Sequence, residues 1–265
     1  MWRKYSRLLF RFVMISFRDM SEFRIDFFTS ILHSLIYQAI FIVFWKAVLS
    51  FTAKDLGGWR FPDLVILTAF TLVSNAVMQW FAGLLQLPRK VLKGELDKYL
   101  SKPLSPLFAL VAEDMNGMAS MQAMVSAVLI LGSACLYFGV HPTLGGILVS
   151  LLLMVVGCVV LLLIQGWISM LTFWWGDVSR LSSLFMLSGE FERYPINLFP
   201  LGVRRLLTWV IPIGAISTYP VLVFLGRAES AVRYLGIAAV LALFWAVVFR
   251  FSWRKALARY EAFGG

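Results

Sequence analysis

Long apolar stretches dominate this sequence and constrain its fold more than any other feature. Several of them, such as residues 232–251, reach the roughly 20 residues that a helix needs to cross a bilayer. Sixty per cent of the residues are hydrophobic and 14% are charged, whereas a soluble protein carries about 25% charged residues. We therefore predict an all-α, polytopic membrane protein.

The apolar stretches predict six transmembrane helices. Residues 107–138 are too many for one crossing, and Glu113 and Asp114 place the first two turns of this stretch at the membrane interface. The fifth stretch is the least regular, because Arg180 lies within it. The predicted spans are 27–51, 63–87, 119–138, a fourth within 143–174, 177–191 and 232–251.

Residues 1–26 are predicted to form an amphipathic helix at the membrane surface. The basic residues fall on one side of a helical wheel, and the aromatic and aliphatic residues fall on the other. A basic face backed by aromatic residues is typical of a helix that lies among lipid headgroups. The alternative is a buried helix of a small soluble subdomain.

A charged island interrupts the apolar sequence at residues 87–106. It contains one glycine, three prolines and seven charged residues: Arg89, Lys90, Lys93, Glu95, Asp97, Lys98 and Lys102. Long apolar segments lie on both sides of it. A stretch of this composition must face water or a partner protein.

A second irregular region covers residues 192–228, where proline repeatedly interrupts an apolar sequence. Interior proline removes a backbone hydrogen bond and clashes with the preceding turn, so no straight helix long enough to span fits there. We predict short re-entrant half-helices that enter and leave on one side, surrounded by protein or water. The defining residues are Pro195, Pro200, Arg204, Arg205, Pro212 and Pro220.

Charged residues in and before this region have several interpretations. Arg204 and Arg205 either anchor a short helix at the outer headgroups or bind lipid phosphates or an anionic substrate. Glu190, Glu192 and Arg193 are expected to pair locally at the outer end of the fifth span.

The distribution of basic residues predicts the topology. Six spans place both termini and the island on one side, and that side carries 16 of the 24 lysines and arginines. Because cytoplasmic loops are enriched in positive charge, we expect both termini and the island in the cytoplasm. The net charge of +10 is thereby explained by topology, so no nucleic-acid partner is expected. Cys135 and Cys158 lie in apolar runs and are interpreted as packing residues.

Motifs for catalysis or nucleotide binding are not found in the sequence. The chain has two histidines, far apart, so no zinc-binding pair forms, and it has no P-loop for ATP. His33 is interpreted as a hydrogen-bonded residue of the helix bundle. The spans carry almost no charged residue at mid-membrane, which disfavours a secondary carrier or channel. A lipid-modifying enzyme using Arg204 and Arg205 is a further, weaker alternative.

Two segments carry a resemblance to a known family. The sequence GELDKYLSKPLSP (94–106), followed two spans later by YPINLFPLGVRRLLTWVIPIGAISTYPVLVFLG (194–226), resembles the membrane subunits of type-2 ABC exporters. The resemblance covers the whole chain as one permease domain. Its parts are an interface helix at 1–26, spans at 27–87, a coupling region at 88–106, spans at 107–191, a re-entrant extracellular segment at 192–228, and a final span with tail at 229–265.

The resemblance implies a motor that is a separate protein. Cytosolic ABC ATP-binding subunits would bind ATP and Mg, so this chain needs no cofactor and is not an enzyme. A second permease subunit, identical or related, would complete the translocation path, in contact with lipids of the cell inner (plasma) membrane. The resemblance places six residues in or beside the ATPase-coupling element: Gly94, Glu95, Leu96, Asp97, Lys98 and Tyr99. Glu95 and Asp97 would pair with basic residues of the ATPase, and Leu96 or Tyr99 would fill an apolar pocket there.

Overall fold

A computed structural model describes most of the chain as a bundle of helices. The described residues are 7, 8, 10, 11, 13–15, 18, 22–51 and 56–260. The predicted amphipathic helix at 1–26 therefore lies for the most part outside the described residues. The prediction of an all-α membrane protein is confirmed.

The helices follow one another with short connections. In chain order they are α1 (Arg24–Phe51), α2 (Phe61–Gln79), α3 (Leu87–Leu92), α4 (Asp97–Leu100), α5 (Pro106–Glu113), α6 (Gly117–Phe138), α7 (Leu144–Met170), α8 (Thr172–Trp175), α9 (Ser179–Ser188), α10 (Leu201–Trp209), α11 (Thr218–Phe224) and α12 (Ala231–Arg259). Short 3-10 turns lie at Ala82–Gln86, Gly189–Arg193, Ile196–Leu198 and Ile213–Ala215.

Within the described ranges, five helices are long and apolar enough to cross a membrane: α1, α2, α6, α7 with its continuation α8, and α12. The ends of these helices follow from local sequence. The stretch 107–138 divides at Asn116, whose side chain accepts a hydrogen bond from the Ala119 amide at 3.1 Å and caps α6. The Thr143 hydroxyl caps α7 in the same way at the Gly146 amide.

α1, α2, α6 and α7 run in alternating directions, and α12 runs parallel to α7, since Ala238 packs near Leu153 and Phe249 packs on Gly166. The bundle therefore has two ends. The island end holds the beginnings of α1 and α6, where Gln122 donates a hydrogen bond to the Ser30 carbonyl at 2.8 Å. It also holds the charged island and the end of α12. At the far end, Arg227 forms an ion pair with Asp63, at the start of α2. The described chain therefore enters and leaves the bundle at the island end.

The core lies around α2, which packs against α1, α6 and α7. Small residues let α2 and α6 approach closely, and the Ser120 hydroxyl donates to the Ala76 carbonyl at 2.7 Å. In membranes, small residues and interhelical hydrogen bonds are the usual basis of such close packing. In contrast, α1 and α12 expose many large apolar side chains, which is the pattern of helices that face lipid.

The segment between α8 and α12 is broken, as its prolines predict. Pro200 precedes α10, Pro212 lies at the break after it, and Pro220 lies in the first turn of α11. The axes before and after this break differ by 69°. The predicted fifth span is shorter than expected, because α9 has ten residues and then tightens into a 3-10 turn.

The broken segment reaches deep into the bundle at Gly157, near the middle of α7. A Cβ atom at Gly157 would lie 2.9 Å from the carbonyl carbon and oxygen of Ala215 and 2.6 Å from Ile216 Cγ2. Such contacts are shorter than van der Waals distances. Glycine at this position is therefore required for the backbone of the broken segment to pack on α7.

We expect Gly157→Ala to destabilise the protein. The added methyl group has no room, and overpacking of this kind costs about 1–3 kcal/mol. The apparent unfolding temperature of the detergent-purified protein measures the effect. Gly132→Ala in α6 is the matched control, because its Cβ would meet open space and alanine is the better helix former by about 0.5–1 kcal/mol. Equal unfolding temperatures for the two variants would contradict this packing.

Candidate functional site

The charged island folds into a compact structure around a glycine turn. α3 ends at Leu92 and is followed by Gly94, whose φ is +69°, a value that favours glycine. The Glu95 amide donates to the Lys90 carbonyl at 2.9 Å, and the Gly94 amide donates to the Val91 carbonyl at 3.1 Å. These two bonds form a Schellman motif, which turns the chain back so that α4 packs beside α5.

Lys90 is the centre of the island. Its side chain is 3% exposed and forms an ion pair with Asp114, and its Nζ donates to the Tyr99 hydroxyl at 2.6 Å. Burial opposes the charged form, but the hydrogen bonds to Asp114 and Tyr99 outweigh it, so the pKa of Lys90 is raised. Its stabilising contribution is therefore fully present below about pH 10.4, the ordinary lysine pKa, and is lost as pH rises through the raised value.

A second, more exposed set of charges surrounds the same tyrosine. Lys98 Nζ lies 2.5 Å from Glu113 Oε1, and Lys102 Nζ lies 3.7 Å from Glu113 Oε2. Partial burial opposes ionisation of Glu113, but the hydrogen bond from Lys98 outweighs it and lowers the pKa of the carboxyl. The ammonium groups of Lys90, Lys98 and Lys102 lie 4.9–5.6 Å from the centre of the Tyr99 ring, within the range of cation–π attraction.

The structure corrects the expectation for Leu96 and Tyr99. Both side chains are buried, so they fill an apolar pocket of this chain and not one of a partner. The cluster that holds them also contains Leu162 and Met170 of α7 and Phe249 of α12. The island is therefore packed against the ends of two membrane spans.

The outer surface of the island carries other residues. Glu95 and Lys98 are exposed and Asp97 is partly exposed, as a docking role requires. Two leucines that the sequence reasoning missed are also exposed, Leu92 by 46% and Leu100 by 43%. Whether a leucine of the island is exposed like these two or buried like Leu96 depends on the orientation of α3 and α4. Composition alone therefore could not predict which leucines are exposed.

The two arginines predicted in the broken segment differ in their surroundings. Arg204 Nη2 donates to the Asn197 carbonyl at 2.7 Å and to the Phe199 carbonyl at 3.4 Å. This guanidinium therefore holds the turn before α10, while Arg205 is exposed. Pro195 precedes the 3-10 turn at Ile196–Leu198.

Glu190, Glu192 and Arg193 lie deeper than predicted. Arg193 Nε pairs with Glu190 Oε2 at 2.7 Å, as expected for local pairing. Glu192, however, accepts a hydrogen bond from Ser74 of α2 at 2.8 Å, and Ser74 is closer to the island end of α2 than to its far end. The Arg193 guanidinium lies 5.0 Å from the Tyr37 ring of α1. The expected position at the outer end of a span is therefore wrong.

Glu192 and Arg193 line a polar cavity inside the bundle. Its volume is about 240 Å³, and its walls come from α1, α2, α6 and the turn after α9. The lining side chains include His33, Tyr37, Gln38, Asn75, Gln122 and Arg193. Sequence reasoning missed this cavity because its residues come from four elements, each contributing one or a few polar groups.

We expect Lys90→Met to destabilise the island. Methionine keeps most of the side-chain volume but removes the charged hydrogen bonds, each worth about 1.5–3 kcal/mol. Limited proteolysis of the island and the unfolding temperature of the purified protein measure the loss. Lys93→Met is the matched control, because Lys93 is exposed on the same turn. An identical response of both variants would show that Lys90 does not hold the island together.

Comparison with known proteins identifies the family of this chain. Residues 35–264 match the protein family described as ABC-2 family transporter protein. A comparison with curated proteins gives no match. The family match extends from the first span to the tail and includes the charged island and the broken segment. The chain therefore belongs to the ABC-2 family of transporter proteins and is a membrane component of an ABC transporter.

Proposed function

We propose that this protein is the transmembrane subunit of an ABC exporter whose ATP-binding subunits are separate cytosolic proteins. One observation carries the proposal: the island is braced by buried Lys90 and packed on two spans, yet presents charged and apolar groups outward. A solvated loop that only sets topology needs no such bracing. ATP and Mg would bind in the partner, and this chain would catalyse no reaction.

The contacts beneath the island supply a route for coupling. Leu96 and Tyr99 contact the cluster that includes Met170 of α7 and Phe249 of α12. Phe249 in turn contacts α7 closely at Gly166, where a Cβ atom would lie 2.6 Å from the ring. Close-packed contacts of this kind transmit displacement because they have little free volume. A push on the island would therefore move the ends of α7 and α12 together.

The proposed assembly has two permease subunits, identical or related, with the island and both termini in the cytoplasm of a plasma-membrane transporter. The positive charge near the island end supports this orientation. The end of the broken segment joins the far end of the bundle through the Arg227–Asp63 pair, so this end would face the extracellular side. This geometry is compatible with export.

The exposed leucines of the island provide the first test. Replacing Leu92 and Leu100 together with serine should reduce co-purification of the ATP-binding subunit at least fivefold, because an apolar contact is lost. The measurement is pull-down after co-expression with a candidate ABC ATP-binding subunit. Replacing both leucines with methionine is the matched control, since it keeps apolar volume. Full retention of the ATPase by the serine variant would exclude these leucines from the interface.

The acidic residues provide an independent test of the same surface. Glu95→Lys with Asp97→Lys should lose permease-stimulated ATP hydrolysis, because reversed charge repels basic groups on the partner. Glu95→Asp with Asp97→Glu keeps the charge and should retain most of the activity. Stimulated hydrolysis that survives charge reversal would argue that the island is not the contact for the ATPase.

A further inference from the structure

A second cavity adjoins the polar cavity along α2 and is mainly apolar. Its volume is about 250 Å³, and its walls come from α2 with the residues that follow it up to Leu85, from α7, and from the segment from α9 to Ile216. Apolar residues from all three walls line it, among them Met78, Phe81, Leu161, Phe185, Met186 and Ile213. Methionine and phenylalanine suit an apolar ligand of variable shape, because methionine is flexible and aromatic rings offer large contact areas. We call this space the apolar cavity.

The charges on its wall have one sign. Glu190 and Glu192 line the apolar cavity, and no lysine, arginine or histidine is among its lining residues. Glu190 is neutralised by Arg193, which lines the polar cavity instead. Glu192 accepts a hydrogen bond from the neutral Ser74, and within the described chain it forms no ion pair of its own. Glu192 is therefore a carboxyl group without an ion pair, because the neighbouring Arg193, whose charge acts on it, is paired with Glu190.

Unused hydrogen-bond acceptors accompany this carboxylate. Gln165 of α7 lines the apolar cavity and is 2% exposed. Its Nε2 donates to the Ser182 hydroxyl at 3.2 Å, but its Oε1 is buried without a hydrogen-bond partner. A buried acceptor left unpaired costs about 1–3 kcal/mol, and a ligand that donates a hydrogen bond would recover that cost.

The junction of the two cavities is at Glu192. Glu192, Asn75 and Gln79 line both spaces. In the polar cavity, Gln38 also has a buried Oε1 without a partner. An amphipathic molecule with its polar end at Glu192 would thus place its apolar part against α7 and the aromatic rings.

We propose that the apolar cavity binds a protonated amphipathic amine, with Glu192 as its counter-charge. An ammonium group supplies a positive charge for the carboxylate and N–H donors for unpaired acceptors of the cavity. Phe81 and Phe185 add cation–π attraction. An anion or a phosphate headgroup would face the carboxylate with no cation on this wall. The inference rests on the proposed function, since the amine would be the exported substrate.

Binding to the full-length permease in nanodiscs tests the charge requirement. The probe is radiolabelled 4-phenylbutylamine, measured by equilibrium dialysis against nanodiscs without protein, with 4-phenylbutanol as the uncharged probe of similar size. We expect saturable binding of the amine and at least tenfold weaker binding of the alcohol. Glu192→Gln, which keeps a hydrogen-bonding side chain beside Ser74, should weaken amine binding at least tenfold. Glu229→Gln is the matched control, because Glu229 is exposed and does not line the cavity.

The outcomes separate this inference from the proposed function. Equal affinity of the wild-type protein for amine and alcohol, or unchanged binding by a folded Glu192→Gln variant, overturns the inference. The comparison of the two probes on wild-type protein stands even where the variant does not fold. Co-purification of the ATP-binding subunit is measured on the same preparations. Its loss with amine binding retained would contradict the proposed exporter, whereas its presence without selective amine binding would contradict the amine site alone.

Discussion

The broken segment between α8 and α12 depends on one constraint, the need to enclose irregular backbone within the membrane. Backbone groups outside a regular helix have no water to bond with there, so surrounding protein must cover them. Gly157 meets this requirement by allowing Ala215 and Ile216 to lie directly on α7. The segment also lies beside α2, and the two adjoining cavities lie between them. The internal geometry of the bundle thus follows from one close contact.

In the island, too, a buried polar group needs hydrogen-bond partners within the protein. Lys90 is buried at the membrane surface, and its charge is tolerated only because Asp114 and Tyr99 satisfy its donors. That bracing holds α3, α4 and α5 as one body in contact with α7 and α12. A rigid body transmits force, whereas a solvated loop absorbs it. The buried ion pair is therefore the part of the island that makes a mechanical role physically reasonable.

The sequence predicted the features that depend on local pattern. It could not predict those that depend on how the helices pack against one another. Apolar length identified the five long spans, and proline positions identified the break. Leu96 was assigned to a partner because leucines in a charged stretch look alike until the helix orientation is known. Glu192 was placed at the end of a span, since no pattern shows that α9 stops after ten residues and that the next turn meets Ser74.

The island and the apolar cavity share part of their structure, which joins the two proposals. Leu84 and Leu162 belong to the apolar cluster beneath the island and also line the apolar cavity. The 3-10 turn at Ala82–Gln86 contributes to both, and Gly83 within it lies so close to α5 that a Cβ atom would be 2.5 Å from the Leu110 carbonyl oxygen. Displacement of α5 would therefore displace this turn and change the cavity wall. In the proposed transporter, a motor that pushes on the island would in this way alter the space beside Glu192 without touching it, and this short turn would connect ATP hydrolysis in the partner to the affinity for substrate.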